Sequence, residues 1–284
     1  LWWKRMFVGE MAKTYFWKPL GNTVLMSLLA SIIAILYGGV VAFFITRTNM
    51  KGKKIISTIF VFPYIMPSWT LATFWKNFWQ NPKIGTGVGG MMYNLFKVSV
   101  PSGMVYGLMP CAVVLGLHYA PFAYILIGGI LRNMDANLEE AATILGANRA
   151  KIVWRITLPI VLPALVSTFL LTFASSMSAY AVPQYIGGDM RVLTTYMKSF
   201  IGQGYYGQGY IMGLVMIVFG VAILMINQRI TGKRRSFTTV SGKSGQVSFI
   251  DLKWNKWVSC VIFSILAIFF AVVPLITFAL ESCC

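Results

Sequence analysis

Residues 19–46 read PLGNTVLMSLLASIIAILYGGVVAFFIT, twenty-eight positions without one Asp, Glu, Lys or Arg. A helix needs about 20 apolar residues to cross a bilayer, so this run spans one with length to spare. Uncharged runs recur at 55–75, 98–131, 156–188, 199–228 and 257–280. They predict six spans, near 20–46, 55–75, 104–131, 158–181, 209–228 and 257–280. Lipid leaves no partner for open backbone groups, and no run shows the ten-residue alternation of a barrel strand. The fold class is therefore an all-α polytopic membrane protein. Composition agrees: 57% of the 284 residues are apolar and 11% charged, against about 25% charged in soluble domains.

The basic residues set the orientation. Fifteen of the 24 Lys and Arg fall in 47–54, 132–155 and 229–256, and nine in 1–19, 76–103 and 182–208. The richer side is cytoplasmic, which makes 1–19 an extracytoplasmic segment. Leu1 and the stop at Cys284, just after a hydrophobic run, suggest a fragment or a processed product. The net charge of +17 follows from loop position and from anionic lipid headgroups, so membrane lipid is expected as a partner and nucleic acid is not. Cys111 and Cys260 fall within spans, and Cys283–Cys284 is a vicinal pair, so there is no disulfide framework.

Ion-coupled carriers place a charged group within the membrane, and the six predicted spans hold none. His118, the single histidine, reads first as a neutral hydrogen-bonding group between helices. One His and no Cys/His cluster predict no metal centre. Gly85–Gly90 and Gly202–Gly207 both match G-x-G-x-x-G, but in outward loops rather than between a strand and a helix. Ser241-Gly-Lys-Ser244 resembles the end of a phosphate-binding loop, but Phe237 stands where its first glycine is required. With no nucleophile and base in a plausible pair, the chain is not expected to be an enzyme. Energy for uphill transport would have to come from another chain.

The informative loop is Asn137-Leu-Glu-Glu140-Ala-Ala-Thr-Ile-Leu-Gly146-Ala-Asn-Arg-Ala-Lys-Ile-Val-Trp-Arg-Ile156-Thr-Leu158-Pro159. Asn137 with Glu140 at N3 makes a capping box, and Glu139 and Glu140 suit the positive end of a helix dipole. Ala141, Ala142, Ile144 and Leu145 give a small, partly apolar face, and Gly146 marks a left-handed stop. Ile152, Val153 and Ile156 then oppose Arg149, Lys151 and Arg155, while Thr157 with Pro159 is read as the start of the next helix. Such a short helix is either a connector lying on headgroups or a plug for a groove on a soluble partner.

Glu140-Ala141-Ala142, Gly146 and Ile156-x-Leu158-Pro159 match EAA-x3-G-x9-I-x-L-P in register. This resembles the signature of ATP-binding-cassette importer permeases, and the similarity extends over residues 20–228. The resemblance implies a coupling helix seated in a cleft of an ATP-binding subunit, formed by Glu139, Glu140, Ala141, Ala142, Leu145, Gly146 and Ala147. Ile156, Leu158 and Pro159 would support it. It further implies that ATP and Mg are held by that partner, that an extracytoplasmic solute-binding protein docks on 76–103 and 182–208, and that the system lies in the cell (inner or plasma) membrane. Residues 229–256, a basic cytoplasmic linker, followed by 257–284, resemble the junction of fused ferric-iron-type permeases, where a second permease half begins. The alternative is that the last run is a sixth helix. Ferric iron is the substrate this resemblance suggests, with a phosphonate or polyamine in the same family. The rival class is a stand-alone channel or secondary transporter. Ser175, Ser176, Ser178, Tyr180 and Gln184, with His118, are candidates for the transport path, against a plain packing role. The aromatics of Trp69–Trp79 are expected to form an interfacial belt.

Overall fold

A computed structural model describes residues 2–84, 87–134, 136–232 and 250–282. Several sequence readings lie outside these residues: the basic positions 233–235 and 243, the match at 241–244, the first residues of the 85–90 glycine run and the Cys283–Cys284 pair. The described residues are helical or irregular, with one isolated β-bridge between Thr48 and Ile250. Five helices are long and apolar enough to cross a membrane. They are α1 (Lys13–Arg47), α4 (Leu108–Asn133), α6 (Ala150–Met177), α9 (Tyr206–Gly232) and α10 (Asn255–Ala279). Each covers one of the predicted runs.

The expected second span departs from that pattern. Residues 55–75 do not form one straight helix. They are divided between α2 (Lys53–Ile65) and α3 (Ser68–Trp79), which meet at 99°. Pro67 is the cause, because a proline disfavours helical backbone at the residue before it, and Met66 is extended with ψ 146°. Several of the aromatics of α3 make contacts within the protein. Phe74 is buried, Trp75 Nε1 donates to the Met104 carbonyl at 3.0 Å, and Trp69 stacks on Tyr185.

Three other prolines are absorbed without a break. Each of the π turns Lys13–Trp17, Val153–Thr157 and Ile268–Val272 ends two residues before a proline, namely Pro19, Pro159 and Pro274. A proline ring crowds the carbonyl four residues back and offers no N–H. A five-residue step relieves both: the N–H groups of Lys18, Leu158 and Val273 donate to the carbonyls of Lys13, Val153 and Ile268. Pro159 therefore does not start a new helix. The helix runs through it from the loop after α4 into the following span.

The core is a seam between α1 and α4. Ala30, Ala34 and Ala42 of α1 and Ala112, Ala120 and Ala123 of α4 are fully buried. Small residues let backbones approach closely, which is how helices gain packing energy where lipid supplies no hydrophobic drive. At Gly38 the approach is closest: a Cβ there would lie 2.3 Å from the Ala120 carbonyl oxygen. Thr23, Ser27 and Ser31 are buried on α1, and each hydroxyl donates to the carbonyl four residues earlier.

The end of the bundle expected to face outward carries more helix than the sequence predicts. The fourth span ends at Met177 rather than 181, and α7 (Ala181–Ile186) and α8 (Leu193–Gly202) occupy the expected loop. Val192, Leu193, Thr194 and Thr195 are buried there. The Leu193 N–H donates to Thr23 Oγ1 at 3.0 Å, and Asn22 Nδ2 to the Arg191 carbonyl at 2.9 Å. The amino-terminal segment is helical too: Met6 and Phe16 pack with Leu193, Ile211 and Met212. Finally, α10 lies against the broken pair through Phe269 with Phe74 and Phe78, and against α1 through Phe263 with Phe44.

Candidate functional site

At the basic side of the bundle, α5 (Ala136–Ile144) projects between α4 and α6. It begins at Ala136, and the expected capping side chain, that of Asn137, lies outside the described residues. Its end matches the expected stop. Gly146 has φ +80°, the Gly146 N–H donates to the Thr143 carbonyl, and the Ala147 N–H reaches back to that of Ala142, both at 3.0 Å. This pair of bonds is the Schellman arrangement, which satisfies carbonyls left open at a helix end. Asn148 then caps the next helix, its Oδ1 accepting from the Lys151 N–H at 2.9 Å. The turn between the helices is thus fixed by hydrogen bonds on both sides.

What the turn presents is apolar. Ile144 and Leu145 are each 86% exposed, Ala141 and Gly146 are exposed beside them, and Ala142 and Ala147 are half-buried. Trp154, at 70% exposure, adds a large ring nearby. Two adjacent aliphatic side chains are held outward on a capped tip, where a partner surface or lipid headgroups would remove them from water.

The two glutamates diverge. Glu140 is exposed. Glu139 turns inward, accepts from Thr157 Oγ1 at 3.1 Å and pairs with Arg47 Nη2. Arg47 is 1% exposed, so it is not a solvated loop cation as its position at the end of the first uncharged run implied. Phe43, Ile152, Val153 and Ile250 wall the cavity around this pair, which has a volume of about 490 Å³. The backbone of the same arginine anchors the end of the linker: the Ile250 N–H donates to the Arg47 carbonyl at 2.8 Å. Asn49 continues the attachment through the Leu252 N–H and the Asp251 carboxylate. The Lys253 N–H also donates to Asp251, at 3.0 Å, and these bonds hold that carboxyl below the usual carboxylate range.

Of the expected supporting residues, Ile156 and Leu158 are half-buried and Pro159 is exposed, all on α6 around the π turn. Arg47, Thr157 and Asn148 were not among the sequence candidates. Asn148 is discoverable from its place three residues before Lys151. The Arg47–Glu139 pair bridges 92 positions of sequence and has no local signature.

The transport-path candidates do not form one group. Tyr180 and Gln184 line a cavity of about 420 Å³ with Arg191 and Lys198, whose Nζ sits 4.4 Å from the Tyr180 ring centre. His118 lies elsewhere, its ring 4.9 Å from Tyr119 and 6.1 Å from Tyr64 between α2 and α4. Ser176 is buried, whereas Ser175 and Ser178 are exposed and the Ser178 hydroxyl donates to the Ala174 carbonyl. Among the described residues no group of three metal-ligating side chains converges.

Known proteins can be set beside this geometry. The family described as "Binding-protein-dependent transport system inner membrane component" matches residues 34–237. A putative ferric transport system permease protein FbpB 1 of Haemophilus influenzae is 25% identical over 241 residues, covering 82% of this chain and 37% of the relative. The FbpB of Actinobacillus pleuropneumoniae is 25% identical, covering 86% of this chain and 35% of the relative. The chain thus spans about a third of the length of these two relatives. A probable sulfate transport system permease protein cysT of Prototheca wickerhamii is 26% identical, covering 73% of this chain and 80% of the relative. Among solved structures, an inward-facing MetNI methionine ABC transporter chain aligns with a TM-score of 0.60 at 18% identity, over 80% of this chain and 99% of that one. A bacterial ABC transporter chain involved in alginate import aligns with the same score at 19% identity, over 84% of each. These two likenesses establish the fold.

Proposed function

The chain belongs to the binding-protein-dependent transport system inner membrane component family, and from that premise we propose that it is the permease subunit of an ATP-binding-cassette importer. In this reading α5 is the coupling helix. Glu140, Ala141, Ala142, Leu145, Gly146 and Ala147 meet a cleft on a separate ATP-binding subunit, which holds the ATP and Mg. Glu139 faces inward, and Ile156, Leu158 and Pro159 carry the helix back into the membrane. Residues 20–228 form the permease domain, 229–256 a cytoplasmic linker, and 257–284 the start of a second permease half or a sixth helix. An extracytoplasmic binding protein docks on the outer face, where α7 and α8 lie. Closure of the ATPase pair displaces α5 and shifts the bundle toward its outward-open state, because the closed pair binds that state more tightly.

The observation that carries this reading is the exposed Ile144–Leu145 tip, fixed at Gly146 and set within the EAA spacing. Ferric iron is the proposed substrate, supported by the names of the two FbpB relatives. Sulfate, by the cysT relative, and a polyamine, by a PotC relative of Haemophilus influenzae at 25% identity, are the alternatives that an uptake assay with labelled iron, sulfate and spermidine separates. The coupling role is tested by Gly146→Asp. The variant is expected to insert normally, to lose the co-purifying ATP-binding subunit in mild detergent, and to reduce uptake at least tenfold. Normal uptake by Gly146→Asp refutes the role of the tip.

A further inference from the structure

We infer that Arg47 is the residue that transmits displacement of α5 to α1, through its ion pair with Glu139; the inference rests on the coupling reading of α5. A short helix that only touches a partner can swing about its two connections without moving the bundle. Coupling needs a stiff contact between that helix and a spanning helix, and this contact is built of named atoms. Glu139 Oε1 is ion-paired with Arg47 Nη2 at the end of α1 and accepts a hydrogen bond from the Thr157 hydroxyl in the π turn of α6. One carboxylate on α5 therefore grips two of the membrane helices on either side of it.

Burial makes the grip selective. Arg47 is 1% exposed and Glu139 13%, so both charges are largely withdrawn from bulk solvent, at the edge of the cavity of about 490 Å³. Arg47 Nη1 and Nη2 are both buried without a hydrogen bond among the described residues, so the ion pair with Glu139 supplies the charge that compensates the guanidinium. Removing one member of such a pair leaves the other uncompensated, which costs far more than the intact pair contributes. The backbone adds a second attachment at the same residue. The Arg47 carbonyl accepts from Ile250, and Thr48 bridges to it, so the start of the last span is fastened to the same joint. Displacement of α5 reaches α1 and α6 through Glu139, and the approach to α10 through the Arg47 backbone.

The test uses Arg47→Gln, Glu139→Gln and the exchange Arg47→Glu with Glu139→Arg. Each is made in the full chain and studied in lipid nanodiscs, and again with its ATP-binding subunit. Hydrogen exchange of the amides in 136–145 is measured first, because it needs no transport activity. Each single variant is expected to speed exchange there at least tenfold, with amides of the α1–α4 seam unchanged, and the exchange to restore protection to within about threefold. In the assembled system the single variants are expected to keep ATP hydrolysis but to lose uptake tenfold or more, with recovery in the exchange. Unchanged protection in both singles overturns the inference, as does equal loss of protection in the seam, which marks a general folding role. Uptake that persists in singles of faster exchange also overturns it. Absence of any ATP-binding subunit on the unaltered chain counts against the proposed function instead, and the exchange measurement still reads the joint.

Discussion

Asp251 accepts hydrogen bonds from the Lys253 N–H and the Asn49 amide while remaining on the surface. Its folded-state pKa is depressed, so its contribution is complete above the unfolded value of about 3.9 and is lost as pH falls through the folded one. Thermal unfolding of the purified chain should show Asp251→Asn less stable than wild type at pH 6. The two should converge as the pH falls below the folded-state pKa, which lies under the unfolded value. A gap that persists there would mean the carboxylate charge is not what holds the linker end to Asn49. Gly146 acts through backbone alone: its φ of +80° could be anticipated because a glycine followed a short helix of suitable length. Arg47 could not, because a sequence reading assigns a basic residue at the end of an apolar run to the headgroups. Only the fold brings Glu139 against it.

The α1–α4 seam separates glycines that are required from glycines that are tolerated. At Gly38 an added Cβ meets the Ala120 carbonyl and the Ala123 side chain, and at Gly116 it lies 2.6 Å from Ile33. At Gly129, on the same α4, nothing lies within 4 Å. Gly38→Leu is expected to destabilise by about 1–3 kcal/mol or more, since backbone must move. Gly129→Ala should be neutral or stabilising by up to about 1 kcal/mol from helix propensity. Unfolding midpoints in one detergent compare them, and equal effects would refute the seam. The uncharged runs made the straight helices legible because length and composition suffice for them. The 99° break was not, since Pro67 signals an interruption and leaves its angle to packing. Pro159 was read as a helix start, and the wider turn that absorbs it, like those before Pro19 and Pro274, follows from a carbonyl clash that sequence does not display. Between α6 and α9, Leu193 is buried against Phe16, Ile211 and Met212, Thr194 donates to the Ala179 carbonyl and Thr195 bonds to Val192, so their burial comes from tertiary and cap contacts and carries no periodic pattern.

Across the whole molecule, the outer cap of α7 and α8, the central seam and the inner joint at Arg47 lie in that order along α1, which touches all three. Topology is testable without transport. Cysteine placed at Leu145 should react with an impermeant maleimide only from the cytoplasmic side, and cysteine at Lys83 only from the other; the reverse result would invert the assigned orientation. The contacts of α10 have a consequence for how the protein can be made. Phe263 on Phe44, Phe269 between Phe74 and Phe78, Phe270 near Tyr37 and Phe278 on Trp69 are side-chain contacts, and the bridge at Ile250 is backbone. None of them depends on peptide continuity across 233–249. Residues 1–232 and 250–284, expressed from two separate reading frames, should therefore find each other in the membrane and purify as a pair.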